Sequence, residues 1–259
     1  MSSKNINNDR SVIFALSFAL FSVVLALLAA VMIFISVFVY EHIAQSEQAM
    51  NNIIDADISQ TYPTVIIDAG HGGEDGGAIG TNGAVEKALN LEISFMLCDM
   101  LRASGMNVIM TRTEDILLYD RNADYMGHKK SLDLRARLEI AKSNPDSIFV
   151  SIHMNAFPSE KYSGLQVWYS KNNSGSKVLA DMLQSYVSNK LQPENGRKIK
   201  QANSSIYLLD RAVSTAVLVE CGFLSNSAEC EKLSDGNYRR QLAFTLFAAI
   251  KEYIGNTDI

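Results

Sequence analysis

The chain has 259 residues, of which 47% are hydrophobic and 20% are charged, and its formal net charge is −5. This length suits one well-buried globular domain better than two, and the composition excludes a disordered or collagen-like chain. Because the chain is net acidic and has no tract of Lys and Arg, nucleic acid is not an expected partner.

The first predicted element is an apolar helix that crosses a membrane. Residues 11–40 contain no Asp, Glu, Lys or Arg, and about 20 apolar residues are enough to cross the hydrocarbon core. A secretory signal has a shorter apolar core of about 7–15 residues followed by a cleavage site, which residues 37–40 do not resemble. An uncleaved export signal without a further role, and a helix that packs against a membrane partner, remain alternative interpretations.

Charges around this helix predict its orientation. Lys4 and Arg10 precede it, and Glu41 and Glu47 follow it. The positive-inside tendency therefore places the N-terminus in the cytoplasm and the large domain outside. The predicted organisation is a cytoplasmic head at 1–10, a transmembrane anchor at 11–40, a polar stalk at 41–61 and one globular domain at 62–259.

The three cysteines do not indicate a metal cluster. Cys98 is predicted to be a buried small hydrophobe on an apolar helix face. Cys221 and Cys230 are close enough in sequence to form a disulfide outside the membrane, although spacing alone does not establish one. There is no Cys-x-x-Cys motif, so neither a thiolate zinc cluster nor a thioredoxin-type site is supported.

After Pro63, short β-branched runs alternate with runs of helical periodicity. The predicted strands are 64–68, 107–111, 147–153, 164–170 and 216–220. The predicted helices are 86–104, 132–142, 177–191 and 238–254. Strands separated by helices imply an α/β domain of three layers, in which a mostly parallel sheet is flanked by helices on both faces.

Polar residues follow three of these strands. His71 lies just beyond the first strand, His153 ends the third and Glu220 ends the last. Ligand sites in parallel sheets lie beyond the carboxyl ends of the strands. These three side chains are therefore predicted to share one cleft.

The loop at 70–83 contains seven of the fifteen glycines of the chain. It matches neither G-x-G-x-x-G nor G-x-x-x-x-G-K-[ST], and its Glu74 and Asp75 would repel an anion, so a nucleotide site is not expected. Close approach of the backbone to a rigid site is the other use of so many glycines.

His71, Glu86 and His153 form a candidate metal site. Glu86 opens the helix after the glycine-rich loop and so can reach back toward His71. Two imidazoles and one carboxylate are the open three-ligand set of a catalytic zinc ion. Taken singly, each residue also has an ordinary explanation, such as a hydrogen-bonded loop histidine or a carboxylate favoured by a helix N-terminus.

Glu220 ends an apolar run, where a carboxylate loses water at a cost of several kcal/mol unless it is paired. It is interpreted as a general base near the metal, and the structural alternative is a partner of backbone amides. Asp68 is interpreted as a residue that either orients a ligand histidine or caps its strand. His42 and His128 are expected to be solvated, and Asn155 is a further candidate for a hydrogen bond to substrate or ligand.

In their local settings these residues resemble the zinc-dependent N-acetylmuramoyl-L-alanine amidases of the amidase_3 type. Three blocks carry the resemblance: VIIDAGHGGEDGGAIGTNGAVEKALNL at 65–91, LRARLEIAKSNPDSIFVSIHMNA at 134–156 and AVLVECGFLSN at 216–226. His71, Glu86 and His153 stand at the positions of the zinc ligands of that family. Glu220 stands at the position of its catalytic glutamate.

The resemblance implies a reaction and a setting. It implies zinc-dependent hydrolysis of the amide bond between N-acetylmuramic acid and L-alanine in peptidoglycan, with Glu220 passing a proton from the attacking water to the leaving amine. The single domain behind a membrane segment, with the stretches at 195–200 and 205–209, is similar to sporulation-associated amidases that prepare spore cortex for germination. The corresponding expectations are a membrane-anchored, extracytoplasmic enzyme and a regulatory protein partner.

Two other classes of protein remain open. A metallopeptidase that cleaves within the stem peptide would share the ligand set. A catalytically silent wall-binding or regulatory module would have lost a ligand or Glu220, and this chain retains all four residues.

Overall fold

The structure, a computed structural model, describes residues 20, 22–25, 27–49, 62–120 and 127–256. The chain divides into two compact units, Met1–Thr61 and Tyr62–Ile259. The three boundaries between the four segments inferred from the sequence stay predictions.

The first unit contains one long apolar helix. Helix α1 spans Ser22–Ala49, with a mean hydropathy of 2.9 in its most apolar stretch, none of which is buried. By length and composition this helix is able to cross a membrane, and a signal sequence would have the same properties. The helix continues past residue 40, so that 41–49 of the predicted stalk are helical. The predicted head at 1–10 and the rest of the stalk at 50–61 lie outside the described residues.

The second unit is built on a six-stranded sheet of order β2-β1-β3-β6-β4-β5. The strands are β1 (Val65–Ala69), β2 (Val108–Met110), β3 (Ile148–Asn155), β4 (Gln166–Tyr169), β5 (Lys200–Gln201) and β6 (Thr215–Phe223). Strands β2, β1, β3 and β6 are parallel, β4 pairs antiparallel with β6, and β5 pairs parallel with β4. The predicted mostly parallel sheet is confirmed.

Helices cover both faces of this sheet. They are α2 (Glu86–Ala103), α3 (Lys129–Lys142), α4 (Ser174–Lys190), α5 (Tyr207–Arg211), α6 (Ser227–Ser234) and α7 (Gly236–Asn256). Buried side chains of α2, α4 and α7 belong to one hydrophobic core, whereas those of α3 and α5 belong to a second core. The predicted three-layer α/β architecture is therefore confirmed.

The alternation of side chains along the strands decides which face of the sheet carries polar groups. On β1, Ile67 lies in the core with α2, whereas Ile66 lies in the core with α3. Because successive side chains of a strand point to opposite faces, Asp68 lies on the α3 face. On β6 the same alternation places Glu220 on the face of Leu218, which also belongs to the α3 core.

Helix α2 is fixed at its start by the glycine-rich loop. The backbone N–H groups of Glu86 and Lys87 donate to the carbonyl oxygens of Ala78 and Gly76, which satisfies helix donors that have no partner inside the helix. Its buried side chains recur at helical spacing and include Leu89, Ile93, Leu97 and Leu101. Gly105, with φ 88°, follows the helix as predicted. Glu86 is thus held at the edge of the sheet where β1 ends.

Some elements differ from the sequence-based expectation. Strand β5 and helices α5 and α6 have only two, five and eight residues, too few for hydrophobic periodicity to reveal. Helix α3 begins at Lys129 rather than at residue 132. Strands β3 and β6 continue beyond His153 and Glu220, with an irregular register between His153 and Asn155, so both residues lie inside their strands rather than at the ends.

The three cysteines are buried free thiols. Cys98 lies in the hydrophobic core, as its position on an apolar helix face predicts. Cys221 and Cys230 do not form in this structure the disulfide that their spacing left open.

Candidate metal centre

The three side chains predicted to form a metal site meet at the carboxyl end of the sheet. Glu86 Oε1 lies 3.2 Å from His71 Nε2 and 3.0 Å from His153 Nδ1. One donor atom from each residue lies within 4.8 Å of the other two. The site therefore joins the loop after β1, the first turn of α2 and strand β3.

The spacing and chemistry of these donor atoms fit a metal ion. Ligands about 2.1 Å from a tetrahedral ion lie about 3.4 Å from one another, which is close to the two nitrogen–oxygen distances observed. Imidazole nitrogens and a carboxylate oxygen are ligands that several divalent transition metals accept.

Glu86 is held by backbone groups on both sides. Its Oε2 accepts the N–H of Ala78 at 2.8 Å, and its Oε1 accepts the N–H of Met154 at 3.0 Å. Burial by itself would raise the pKa of Glu86, but His153 and His71 together hold it well below its usual range. Glu86 is thus a fixed carboxylate anion, which is the form that binds a metal.

His71 has a strained backbone and a half-buried, oriented ring. Its φ of 61° lies in the left-handed region, which costs a residue other than glycine about 1–3 kcal/mol. Its Nδ1 lies 3.0 Å from Asp75 Oδ2, which leaves Nε2 directed at Glu86. Burial would lower the pKa of His71, but Glu86 and Asp75 raise it above its usual value. Asp75, considered in the sequence only as an anion-repelling charge, therefore orients this histidine.

Two buried arginines that the sequence analysis did not single out hold the backbone around His71. Arg137 donates to the carbonyl oxygens of Ala69 and His71 at 2.7 and 2.8 Å. Arg112 donates to those of Ala69 and Gly70 at 2.9 and 3.0 Å. Three successive carbonyl groups are thereby fixed, which explains how the strained conformation of His71 is maintained. We call these two residues the arginine clamp.

The sequence does contain a signal for Arg137. It lies at helical spacing from Leu134 and Ala141, on the apolar face of α3, and its own side chain is 2% exposed. A charge on such a face indicates a buried ion pair, because an unpaired charge there is costly. The partner on the same helix is Asp133, whose Oδ2 lies 2.8 Å from Arg137 Nε.

Asp68 supports the arginine clamp from the end of β1. Its carboxylate accepts hydrogen bonds from Arg137 at 2.7 Å, Thr111 at 2.8 Å and Ser151 at 2.5 Å. Burial would raise the pKa of Asp68, but Arg137 and Ser151 hold it below its usual value. Asp68 reaches His71 only through Arg137, which donates to both residues.

Glu220 lies beside the candidate metal ligands, in an environment that differs from that of Asp68. It pairs with His153 across β3 and β6, and its buried Oε2 has no hydrogen-bond partner among the described residues. Burial, with a further contribution from Glu86, raises the pKa of Glu220 to about 7 against the opposing effect of His153 and His71. The residue lines a cavity of about 240 Å³ with both histidines and with Tyr207 of α5. A carboxyl group that lines a cavity and has an oxygen without a protein partner can exchange a proton with a bound molecule.

The glycine-rich loop approaches the ligands as closely as its composition predicts. A Cβ atom on Gly70 would lie 2.3 Å from the His153 ring, and one on Gly77 would lie 2.5 Å from Glu86 Oε2. Glycine is therefore required at both positions by contact with the ligands.

The remaining sequence candidates are not part of the donor group formed by His71, Glu86 and His153. His42 is exposed on α1, where its ring contacts Phe38, and His128 is exposed just before α3. Asn155 is half-buried near the end of β3, and its carbonyl oxygen accepts the N–H of Leu224.

Comparison with known proteins places these features in one family. Residues 65–252 match the Amidase_3 family model, described as N-acetylmuramoyl-L-alanine amidase. The germination-specific N-acetylmuramoyl-L-alanine amidase of Bacillus subtilis (strain 168) is 34% identical over 189 residues, which cover 73% of this chain and 78% of that relative. The uncharacterized protein YqiI of the same strain is also 34% identical, over 73% of this chain and 84% of its own length.

Solved structures agree with this assignment. The CwlD amidase from Clostridioides difficile, determined in complex with the GerS lipoprotein, aligns with a TM-score of 0.71 and 37% identity over 75% of this chain and 100% of that one. The amidase AmiC2 of Nostoc punctiforme aligns with a TM-score of 0.65 and 26% identity over 75% of this chain and 98% of its own.

Proposed function

This chain belongs to the Amidase_3 family and is an N-acetylmuramoyl-L-alanine amidase that hydrolyses peptidoglycan, and from that premise we propose how its own residues perform the reaction. His71, Glu86 and His153 hold a zinc ion, and Glu220 is the general base. The bond cleaved joins the lactyl carbonyl of N-acetylmuramic acid to the L-alanine nitrogen of the stem peptide. The germination-specific relative supports a role in spore cortex.

The observation that carries the mechanism is the free oxygen of Glu220 beside the donor cluster. Oε2 is buried without a hydrogen-bond partner among the described residues, and Glu220 lines the same cavity as His71 and His153. A purely structural carboxylate would be expected to bind backbone amides, as both oxygens of Glu229 do. Glu220 instead keeps an acceptor available to a molecule in the cavity.

Zinc suits this donor set, and when bound it polarises the scissile carbonyl and activates a water molecule. Glu220 Oε2 accepts the proton of the attacking water while the carbon–oxygen bond forms at the carbonyl carbon. The same carboxyl group then donates that proton to the alanine nitrogen as the carbon–nitrogen bond breaks. Asp75 and the arginine clamp keep His71 oriented throughout.

The apolar helix α1 anchors this enzyme in a membrane, with the catalytic unit on the extracytoplasmic side where peptidoglycan lies. This part of the proposal rests on the length and hydropathy of α1 and on the cell-wall activity of the relatives. A protein partner is a further part of it, because the CwlD relative was determined in complex with a lipoprotein. Extraction of membranes at alkaline pH tests the anchor, since a chain released into the supernatant would contradict it.

Product analysis with metal removal tests the mechanism. Full-length chain in detergent is incubated with vegetative and cortex peptidoglycan, and the products are identified by mass spectrometry. We expect stem peptides that begin with a free alanine amine, loss of turnover on chelation and recovery with zinc. Cleavage within the stem peptide would indicate a peptidase, and activity indifferent to chelation would exclude the zinc mechanism. Full turnover by the isolated chain would argue against a required partner.

A further inference from the structure

A second concave region shares no lining residue with the cavity at the candidate metal centre. It is a cavity of about 730 Å³ between the segment before β4, the segment after α4, and α6. Tyr162 and Arg197 line it, and Phe223 of β6 lies beneath Arg197. Arg197 belongs to the stretch at 195–200, which the catalytic roles assigned above leave unused.

Arg197 is held in one orientation and still has donors to spare. Its guanidinium carbon lies 4.4 Å from the centre of the Phe223 ring and 5.9 Å from that of Tyr162. Its Nε donates to the carbonyl oxygen of Ser163 at 2.6 Å, and its Nη1 donates to Gln166 Oε1 at 3.3 Å. A guanidinium has five N–H donors, so stacking and two hydrogen bonds leave most of one edge available for a ligand.

The position of Gln166 connects this arginine to the catalytic residue. Gln166 of β4 lies directly opposite Glu220 of β6 in the antiparallel pair. Opposed residues point to the same face of a sheet, with their Cα atoms about 4.5–5.5 Å apart. Arg197 contacts the Gln166 side chain, so it lies on the Glu220 face of the sheet, one strand away. Phe223, under the guanidinium, pairs with Asn155, whereas Glu220 pairs with His153, so the two residues are about two strand steps, or about 7 Å, apart.

The charges that line the cavity favour an anion. Lys161, Arg197 and Lys232 oppose Glu194 and Glu229. Both oxygens of Glu229 already accept backbone N–H groups at 2.8 Å, which offsets its negative charge. The residues that line the cavity therefore carry one more positive than negative formal charge.

We propose that Arg197 is a specificity-determining residue that binds a carboxylate of the peptidoglycan stem peptide during cleavage. This inference deepens the proposed function and rests on it. An extended peptide advances about 3.3 Å per residue, so the second and third stem residues together span about 3–10 Å from the scissile amide. Those residues carry the α-carboxylate of D-glutamate and the carboxylate of a diamino acid. A stem carboxylate at this distance from the scissile amide could therefore reach the guanidinium of Arg197. A guanidinium is also well suited to bind a carboxylate, through charge-assisted hydrogen bonds.

Matched substrates test this assignment with zinc-loaded full-length chain. One muropeptide keeps both carboxylates, a second has the D-glutamate carboxylate amidated, and a third has the diamino-acid carboxylate amidated. The wild-type chain should cleave the first with kcat/KM about 10- to 100-fold above that of one amidated form, which identifies the carboxylate bound. Arg197→Met should remove that preference mainly through a higher KM on the acidic substrate, and Arg197→Lys should retain part of it.

Arg240→Met serves as the matched control, because Arg240 is an exposed arginine on α7 outside this cavity. Its preference should equal that of the wild type. An equal loss on all three substrates in Arg197→Met would show that the arginine only supports the fold, and this would overturn the inference. A wild-type chain indifferent to both amidations would overturn it as well. A wild-type chain that cleaves no muropeptide would instead overturn the proposed function, and the inference with it.

Discussion

Two buried carboxylates lie on the two strands that flank β3, and their surroundings are opposite. Asp68 on β1 accepts hydrogen bonds from Arg137, Thr111 and Ser151. Glu220 on β6 has an oxygen without a hydrogen-bond partner among the described residues. The pKa of Asp68 is held below its usual value, whereas that of Glu220 is raised to about 7.

The difference shows that partners, rather than burial, decide what a buried carboxylate does. Both groups have lost water, which by itself disfavours the charged form. Around Asp68 an arginine and two hydroxyl groups restore the charged form, and the carboxylate serves to fix the loop that carries His71. Around Glu220 nothing comparable is present among the described residues, so its carboxyl group can still take up a proton near neutral pH. One carboxylate is held by a cation and two hydroxyl groups, and the other has an oxygen left for the proton transfer proposed above.

The largest expected effect is the loss of turnover in Glu220→Gln. The amide keeps the shape of the side chain but cannot accept a proton, and general base catalysis contributes about 10²- to 10⁴-fold. We expect a loss of turnover in that range, with metal content unchanged. Thermal stability should be unchanged or raised, because an unpartnered buried carboxyl group is removed. Muropeptide turnover, metal analysis and thermal denaturation measure the three quantities.

The control for this variant is Glu231→Gln, an exposed glutamate of α6. It should behave as the wild type in all three measurements. Turnover of Glu220→Gln within a few-fold of the wild type would refute its role as the base.

The next largest expected effect is a loss of fold stability in Arg137→Met, because this arginine holds the buried carboxylate of Asp68. The substitution leaves Asp68 and Asp133 buried without their shared cation, and breaking a buried ion pair in this way costs about 3–5 kcal/mol. We expect the free energy of unfolding to fall by that amount in chemical denaturation. Arg135→Met is the matched control, because Arg135 is exposed on the same helix. Equal stability of the two variants would mean that the arginine clamp does not stabilise the fold.

The smallest expected effect is the change with pH in the stability that Asp68 contributes. The folded pKa of Asp68 lies below its ordinary value of 3.8, so the stability that it contributes is present above that pH and is lost as the pH falls toward the lower folded pKa. The difference in unfolding free energy between the wild type and Asp68→Asn should therefore shrink as the pH falls below about 4. Denaturant titrations between pH 3 and pH 6 measure this difference. A difference that stays constant over this range would show that the ionised form of Asp68 is not the stabilising one.

The sequence predicted the long elements and the donor residues because their signals are local. Leu89, Ile93 and Leu97 recur at helical spacing, so α2 and the position of Glu86 at its start were evident. The β-branched run before Asp68 likewise predicted β1. Strand β5 and helix α5 were not predictable, since elements this short depend on contacts with β4 and with the α3 core for their stability. Arg137 carried a local signal in the apolar pattern of α3, and Arg112 carried none.

The sequence by itself determined the residue types at the strand ends, the resemblance to zinc amidases and the presence of an apolar N-terminal segment. Only the tertiary structure decided which groups surround each carboxylate. Arg137 reaches Asp68 across 69 positions of the chain, and His153 reaches Glu86 across 67. Periodicity reports on neighbours three or four residues away, whereas the packing of α3 and β6 against the sheet sets these distances. That packing gives Asp68 its cation and leaves an oxygen of Glu220 free.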